Sequence, residues 1–315
     1  MTYSKQFPFE TIVVATDFSE QSSSTLRYAQ AIAFRHGAKL VLVHVIDPIG
    51  YAFPTGVPSS LSADQPALKE LNRIEEQLRA DRIPVHSVVA TGDICDLILQ
   101  TIRDDGGDLL VLGTRGKTGL GRAALGAVAR QLLAKAECPV LTVTPDVETL
   151  MPWAGKWRTV LLATDFSPCS LSALTVAHRI AHVQLTVLHS AAAQSDVERR
   201  HHPERLRFLA PMNESHTVPV EHIVTMGEAG PVIVDFVLKH QVDLVVLGSP
   251  ATMLSEEDMQ TSTVLQVISG VHCPVLSIPV PCQEKTSKTS ATRAEKEETR
   301  ALAKDMATVP QVPFS

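Results

Sequence analysis

The chain repeats itself, and no other property of the sequence restricts its fold as strongly. The segment Thr11–Ser19, TIVVATDFS, returns 148 residues later as Thr159–Ser167, TVLLATDFS. Asp108–Gly113, DLLVLG, returns 135 residues on as Asp243–Gly248, DLVVLG, and Cys138–Leu141, CPVL, returns as Cys273–Leu276 at the same offset. Three blocks in one order at so long a period describe the duplication of a whole domain, not a solenoid of short units. The offset shrinks by 13 residues between the first block and the second, so the second copy is shorter in its front half. At 315 residues the chain has room for two domains of ordinary size.

Within the first copy, apolar runs at 11–16, 39–45, 84–90, 108–112 and 139–143 alternate with helical patterns at 20–36, 65–81, 93–104 and 124–136. The runs are continuous, as expected of parallel strands covered on both faces. Gly37 marks a left-handed stop for the first helix. Segment 47–62, rich in proline and glycine, reads as a loop able to arch over a ligand. The second copy reads as strands at 158–163, 184–189, 218–224, 243–247 and 274–278, with helices at 169–182, 203–211, 229–240 and 261–270. The expected fold class is therefore α/β: two tandem doubly wound domains, each a five-stranded parallel sheet with helices on both faces. The expected organisation is a first domain over 1–145, a linker over 146–157, a second domain over 158–281 and a disordered, charged tail over 282–315.

Composition removes several functions. A formal net charge of −6 and 4% aromatic residues argue against nucleic-acid binding by bulk electrostatics or base stacking. No apolar run approaches the roughly 18 residues of a membrane span, and the first ten residues do not form a signal-peptide core. Five widely spaced cysteines without a CxxC pair suit reduced thiols, so the expected location is cytoplasmic. Cys95, Cys138, Cys169, Cys273 and Cys282 read as packing residues.

The chemistry concentrates after the fourth strand of the first copy, in Gly113-Thr-Arg-Gly-Lys-Thr-Gly-Leu-Gly-Arg-Ala-Ala-Leu-Gly-Ala127. Glycines just beyond a parallel strand let backbone N–H groups approach a phosphate, and the helix that follows adds its unpaired donors. Arg115, Lys117 and Arg122 make the loop cationic. It is not a P-loop, because Val111 stands where the first glycine belongs. Nor is it a dinucleotide fingerprint, since the first strand ends in Thr16-Asp17. A flexible surface turn is the competing reading of these glycines.

Taken with the TDFS and CPVL blocks, this loop resembles that of the universal stress protein family in its tandem form, an adenine nucleotide alpha hydrolase-like fold. Gly113, Gly116 and Gly126 match the G-x2-G-x9-G spacing of the family's nucleotide-binding members. The resemblance implies an ATP-binding site, with or without Mg2+. In it Thr16 and Asp17 lie at the adenosine, and the Val45 backbone holds the adenine edge. Gly113, Thr114, Arg115, Gly116, Gly126, Ala127 and Val128 surround the phosphates. Ala127 departs from the family's Ser or Thr, which keeps an N–H but loses a hydroxyl donor. The resemblance also implies that the copies pair through 139–143 and 274–278, like the subunits of a family dimer. A homodimer of the whole chain stays open.

The second copy keeps Gly248 but has Ala251 and Thr261 at the other glycine positions, with Pro250, Glu256, Glu257 and Asp258 nearby. That set opposes phosphate, so its cleft is expected to be degenerate and Thr261–Thr263 to cap a helix. Asp17 reads either as a helix cap with Glu20 or as a ligand contact. His44 and His189 read as satisfied core-edge histidines, and His201-His202 as a solvated helix start. No nucleophile, base and orienting group assemble from the spacing, so no catalytic or metal-binding residue is assigned. The expected function is stress-linked adenine-nucleotide binding by the first copy. A nucleotide-free interaction scaffold and a slow ATP hydrolase are the alternatives.

Overall fold

The computed structural model of the chain describes residues 8–46, 60–114, 125–144, 154–191, 196–210, 218–250 and 262–280. The tail expected to be disordered from 282 lies outside these residues, as does Cys282. The first copy supplies β1 (Thr11–Ala15), α1 (Glu20–His36), β2 (Lys39–Ile46), α2 (Ser60–Ala80), β3 (Val85–Thr91), α3 (Ile94–Asp105), β4 (Leu109–Gly113), α4 (Ala127–Lys135) and β5 (Val140–Val143). The second supplies β6 (Thr159–Ala163), α5 (Pro168–Ile180), β7 (Gln184–Ala191), α6 (Asp196–Leu209), β8 (Val220–Met226), α7 (Ala229–Lys239), β9 (Leu244–Pro250), α8 (Thr263–Gly270) and β10 (Val275–Val280).

Two boundaries differ from expectation for the same reason. The helices expected from 65 and from 203 would put Pro66 and Pro203 in their first turns, where proline is favoured. Both helices in fact begin well before their prolines, so 60–62 is helix and not loop. Residues 47–59, where the loop was expected to arch, lie outside the described residues.

All ten strands form one sheet, in the order β3-β2-β1-β4-β5-β10-β9-β6-β7-β8. Pairing is parallel within each copy and antiparallel where β5 meets β10. At that seam Leu141 faces Leu276, Thr142 faces Val275 and Val140 faces Ser277. Leu141 and Leu276 are equivalent residues of the two copies, so the seam lies on a pseudo-twofold axis. Side chains reinforce it: the Thr142 hydroxyl donates to the Val275 carbonyl at 3.2 Å and the Thr144 hydroxyl to the His272 carbonyl at 2.9 Å.

The strands alternate their side chains between two apolar cores, one on each face of the sheet. One core takes residues from α1, α2, α5 and α6, including Tyr28, Ile32, Leu71, Ala173, Ala177 and Leu206. The other takes residues from α3, α4, α7 and α8, including Ile98, Leu132, Ile233 and Val267. Each core runs through both copies.

The repeated aspartates explain another part of the duplication. Asp108 accepts the N–H groups of Glu10 and Thr11 at 2.7 and 2.9 Å. Asp243 accepts those of Arg158 and Thr159 at 2.7 and 3.0 Å. Each carboxylate thus ties the entry of its copy's first strand to the start of the fourth.

The described end of the expected linker is pinned to α1. The Trp157 indole N–H donates to the Tyr28 hydroxyl at 3.0 Å, and both side chains are fully buried. Burial raises the Tyr28 pKa, so the phenol stays neutral and needs this partner. Gly155 adopts a left-handed φ of 70° beside His36, whose Nε2 lies 2.6 Å from the Gly155 carbonyl oxygen. Trp157→Phe removes the indole donor to Tyr28 and is expected to cost about 1–3 kcal/mol. Adding Tyr28→Phe should recover part of that loss in a double-mutant cycle followed by chemical denaturation.

Candidate functional site

The TDFS segment makes the same turn in both copies. Phe18 and Phe166 sit at φ of 59° and 63°, a left-handed conformation that side chains other than glycine rarely adopt. Local bonds hold them there. The Thr16 hydroxyl accepts the Phe18 N–H at 3.1 Å, and Asp17 Oδ1 accepts the Ser19 N–H at 3.0 Å. Thr164 and Asp165 repeat both bonds at 3.0 and 2.9 Å.

The turn moves the cap from the aspartate to the serine. Ser19 and Ser167 are the N-caps, accepting the N–H groups of Ser22 and Ser170. The capping box expected of Asp17 and Glu20 is therefore not formed by Asp17, whose carboxylate instead braces the turn before the helix. Around Asp165, burial acts to raise the pKa, but hydrogen bonds from Ser167 and Ser170 outweigh it and hold the carboxyl below its usual value. His44 lies behind the first turn, its Nδ1–H donating to the Thr16 carbonyl at 2.8 Å and its ring 4.3 Å from that of Phe18. That bond matches the expectation of a satisfied core-edge histidine.

At the carboxyl ends of β1 and β4, where the strand order reverses, a cleft of about 300 Å³ opens in the first copy. Open α/β sheets take their ligands at this point. Thr16, Asp17, Val45, Gly113, Gly126, Ala127 and Val128 line it, seven of the ten residues singled out from the sequence. Thr114 is buried and does not line the cleft. Its N–H donates to the Val143 carbonyl at 3.1 Å, and its carbonyl accepts the Gly126 N–H at 3.0 Å. Arg115 and Gly116 lie outside the described residues.

The sequence reading did not single out Ser22, Val43, Ile94 and Ile98, which also line the cleft. The only signal for the two isoleucines is their i,i+4 spacing on α3, which any core-facing helix shares. Beside the cleft α4 starts at Ala127 after an N-cap at Gly126, and no side chain caps it among the described residues. Cys95 packs behind, its thiol donating to the Val128 carbonyl at 3.9 Å. Burial raises its pKa, so it is a neutral packing group. No group of three or more His, Cys, Asp or Glu able to hold a metal occurs among the described residues.

The profile of the universal stress protein family matches residues 8–144 and, a second time, residues 156–279. The chain belongs to the universal stress protein family. It carries two such domains in tandem. A universal stress protein of Thermus aquaticus is 33% identical over 143 residues, covering 43% of this chain and 98% of the relative. One from Mycobacterium tuberculosis is 27% identical over 228 residues, covering 70% of this chain and 76% of its own length. Among solved structures, a universal stress protein from Archaeoglobus fulgidus shares the fold with a TM-score of 0.70 at 18% identity, covering 85% of this chain and 98% of its own.

The second universal stress protein domain builds the same cleft but fills it. Its volume is about 110 Å³. Leu188 stands where the first domain has Val43, and Ser190 where it has Val45. The Ser190 hydroxyl, at the position equivalent to Val45, donates to the Gly227 carbonyl at 2.7 Å. Gly248, equivalent to Gly113, serves packing: a Cβ there would meet the Ser170 nitrogen at 2.5 Å and collide with the Cys169 backbone. Ser262 takes the N-cap position of α8, but its side chain makes no capping bond, contrary to the capping expected there. Ala251, Glu256, Glu257, Asp258 and Thr261 lie outside the described residues.

His201 is exposed and faces Glu204 at 3.7 Å. His202 is buried, which corrects the reading of both as a solvated helix start. Gly248→Ala is expected to destabilise the protein by about 1–3 kcal/mol through overpacking against the start of α5. A guanidinium denaturation midpoint equal to that of the unmodified chain would refute the packing role.

Proposed function

We propose that the first domain, read as residues 1–145, binds ATP or a related adenine nucleotide in the cleft at the ends of β1 and β4. The second domain, 158–281, then acts as its structural partner, with 146–157 between them. The observation that carries this reading is the convergence of seven separately selected residues, drawn from β1, β2, β4 and α4, on one cleft of about 300 Å³.

The lining suits the two ends of a nucleotide. Val43, Val45, Ile94 and Ile98 present an apolar wall of the kind a purine stacks against, while Asp17 stands at the β1 end where a ribose hydroxyl would donate. The first N–H groups of α4, at Ala127 and Val128, have no side-chain cap among the described residues and supply donors with the positive end of the helix dipole. Arg115 adds a cation in sequence directly after Thr114. Mg2+, when bound with ATP, would neutralise phosphate charge.

The domain is read as a cytoplasmic, stress-linked nucleotide binder without dedicated catalysis. In keeping with that setting, Cys95, Cys138, Cys169 and Cys273 are free thiols, and no described helix is long and apolar enough to cross a membrane.

Titration calorimetry of the nucleotide-free chain with ATP and Mg2+ tests the reading. Ala127 is exposed at the first position of α4, so its substitutions fit the fold. Ala127→Ser restores a hydroxyl donor worth about 1.5–3 kcal/mol toward a charged group, and is expected to tighten binding about tenfold or more. Ala127→Glu places a carboxylate against the phosphates and is expected to abolish binding while leaving thermal unfolding unchanged. Absence of binding at millimolar ATP would favour the interaction-scaffold alternative.

A further inference from the structure

The second domain holds a histidine pair that the first domain lacks. His189 on β7 is the counterpart of His44, and its Nδ1–H donates to the Thr164 carbonyl at 2.8 Å as His44 does to Thr16. Facing it from α6 is His202, with ring centroids 4.5 Å apart. Phe166 completes the cluster, 4.4 Å from His189 and stacked 6.0 Å from His202. The Arg205 guanidinium carbon lies 4.0 Å over the Phe166 ring.

Both histidines are buried at 7% exposure. His189 Nε2 and both nitrogens of His202 are buried without a hydrogen-bond partner among the described residues. The first domain has no such pair. The 135-residue offset sets Ala67 opposite His44, and two contacts confirm that register: Ser87 donates to Glu75, and their equivalents, His222 and Ala210, also touch. Leu71 and Leu206, likewise equivalent, are both fully buried.

We propose that the His189–His202 pair is an acid-sensitive latch that releases α6 from the sheet of the second domain. Adding a proton to His189 means adding it at Nε2, in a buried site with no acceptor among the described residues and with Arg205 and His202 on the α6 side. Among the described residues, the bond to the Thr164 carbonyl and the attraction of Asp165, from the turn before α5, favour the charged ring, and both are outweighed. Burial chiefly, with the repulsion of His202 and Arg205, holds the His189 pKa below its ordinary value of 6.5. His201 and Glu204 face outward on α6 and pair with each other. A group whose folded pKa is depressed in this way takes up its proton more readily once released. The α6 contact is therefore at full strength above pH 6.5 and is lost as pH falls below it.

Hydrogen exchange of the full chain, corrected for intrinsic rates, tests this at about pH 7.5 and about pH 5.5. Taking up its proton in the released form, His189 favours release about tenfold at the lower pH. Protection in α6 should fall by at least that factor while α2 of the first domain keeps its own. His189→Asn keeps a side-chain N–H for the Thr164 carbonyl and removes the proton site, so its α6 should be as protected as the unmodified chain at neutral pH and insensitive to acid. Equal α6 protection at both pH values, an equal loss in α2, or an unchanged acid response in His189→Asn would overturn the proposal. Should that variant fail to fold, the His189 ring resonance in the unmodified chain decides. Titration at or above the ordinary histidine value with α6 still protected refutes the latch, and titration below it together with loss of α6 supports it.

Discussion

The antiparallel pairing of β5 with β10 is the constraint on which the rest of this molecule depends. Each copy alone is a five-stranded parallel sheet with β5 or β10 at an open edge, and exposed edges invite uncontrolled pairing. Joining those edges places Leu141 against Leu276 and makes one sheet of ten strands. It also makes the apolar layers continuous, so helices of both copies pack on shared cores. Burial that neither half achieves alone follows from this one contact.

On that common frame the two clefts have taken different courses. The backbone at each is nearly the same: a left-handed Phe, a Ser cap, and a histidine bonded to the strand end. Five described lining side chains differ between them. Leu188 and Val264 in place of Val43 and Ala129 take up volume, Ala229 in place of Ile94 gives some back, and Ser190 and Thr263 in place of Val45 and Val128 add polar groups. Gly248 survives in the filled cleft because the close approach of α5 requires it. A conformational demand and a ligand demand can thus keep the same residue for unrelated reasons.

The duplication and the strands were legible in the sequence because strands covered on both faces leave uninterrupted apolar runs and because the motif blocks appear twice, whereas the seam was expected only from the family resemblance. The cleft was legible through its glycines and the ends of β1 and β2. What escaped depends on backbone direction or distant contact. Asp17 and Ser19 are both good capping residues, and only the left-handed turn at Phe18 selects the serine. Whether His202 faces water or the sheet depends on the phase of α6, which Pro203 obscured by suggesting a helix start. The bond from Trp157 to Tyr28 joins residues 129 apart and has no local signature.

The seam has a kinetic meaning as well. In a dimer of separate chains, the corresponding contact forms at a rate set by concentration and is weakened by dilution. Here β5 and β10 belong to one chain, so each is presented to the other at an effective concentration on the order of millimolar. The scaffold therefore closes by a first-order step and holds at any expression level. Nor does a substitution on one side of the axis repeat itself on the other. Thr142 and its counterpart Ser277 have already diverged, the hydroxyl of one bonded across the seam and that of the other without a partner among the described residues. Asymmetry that a homodimer is barred from acquiring has become available to this protein one residue at a time.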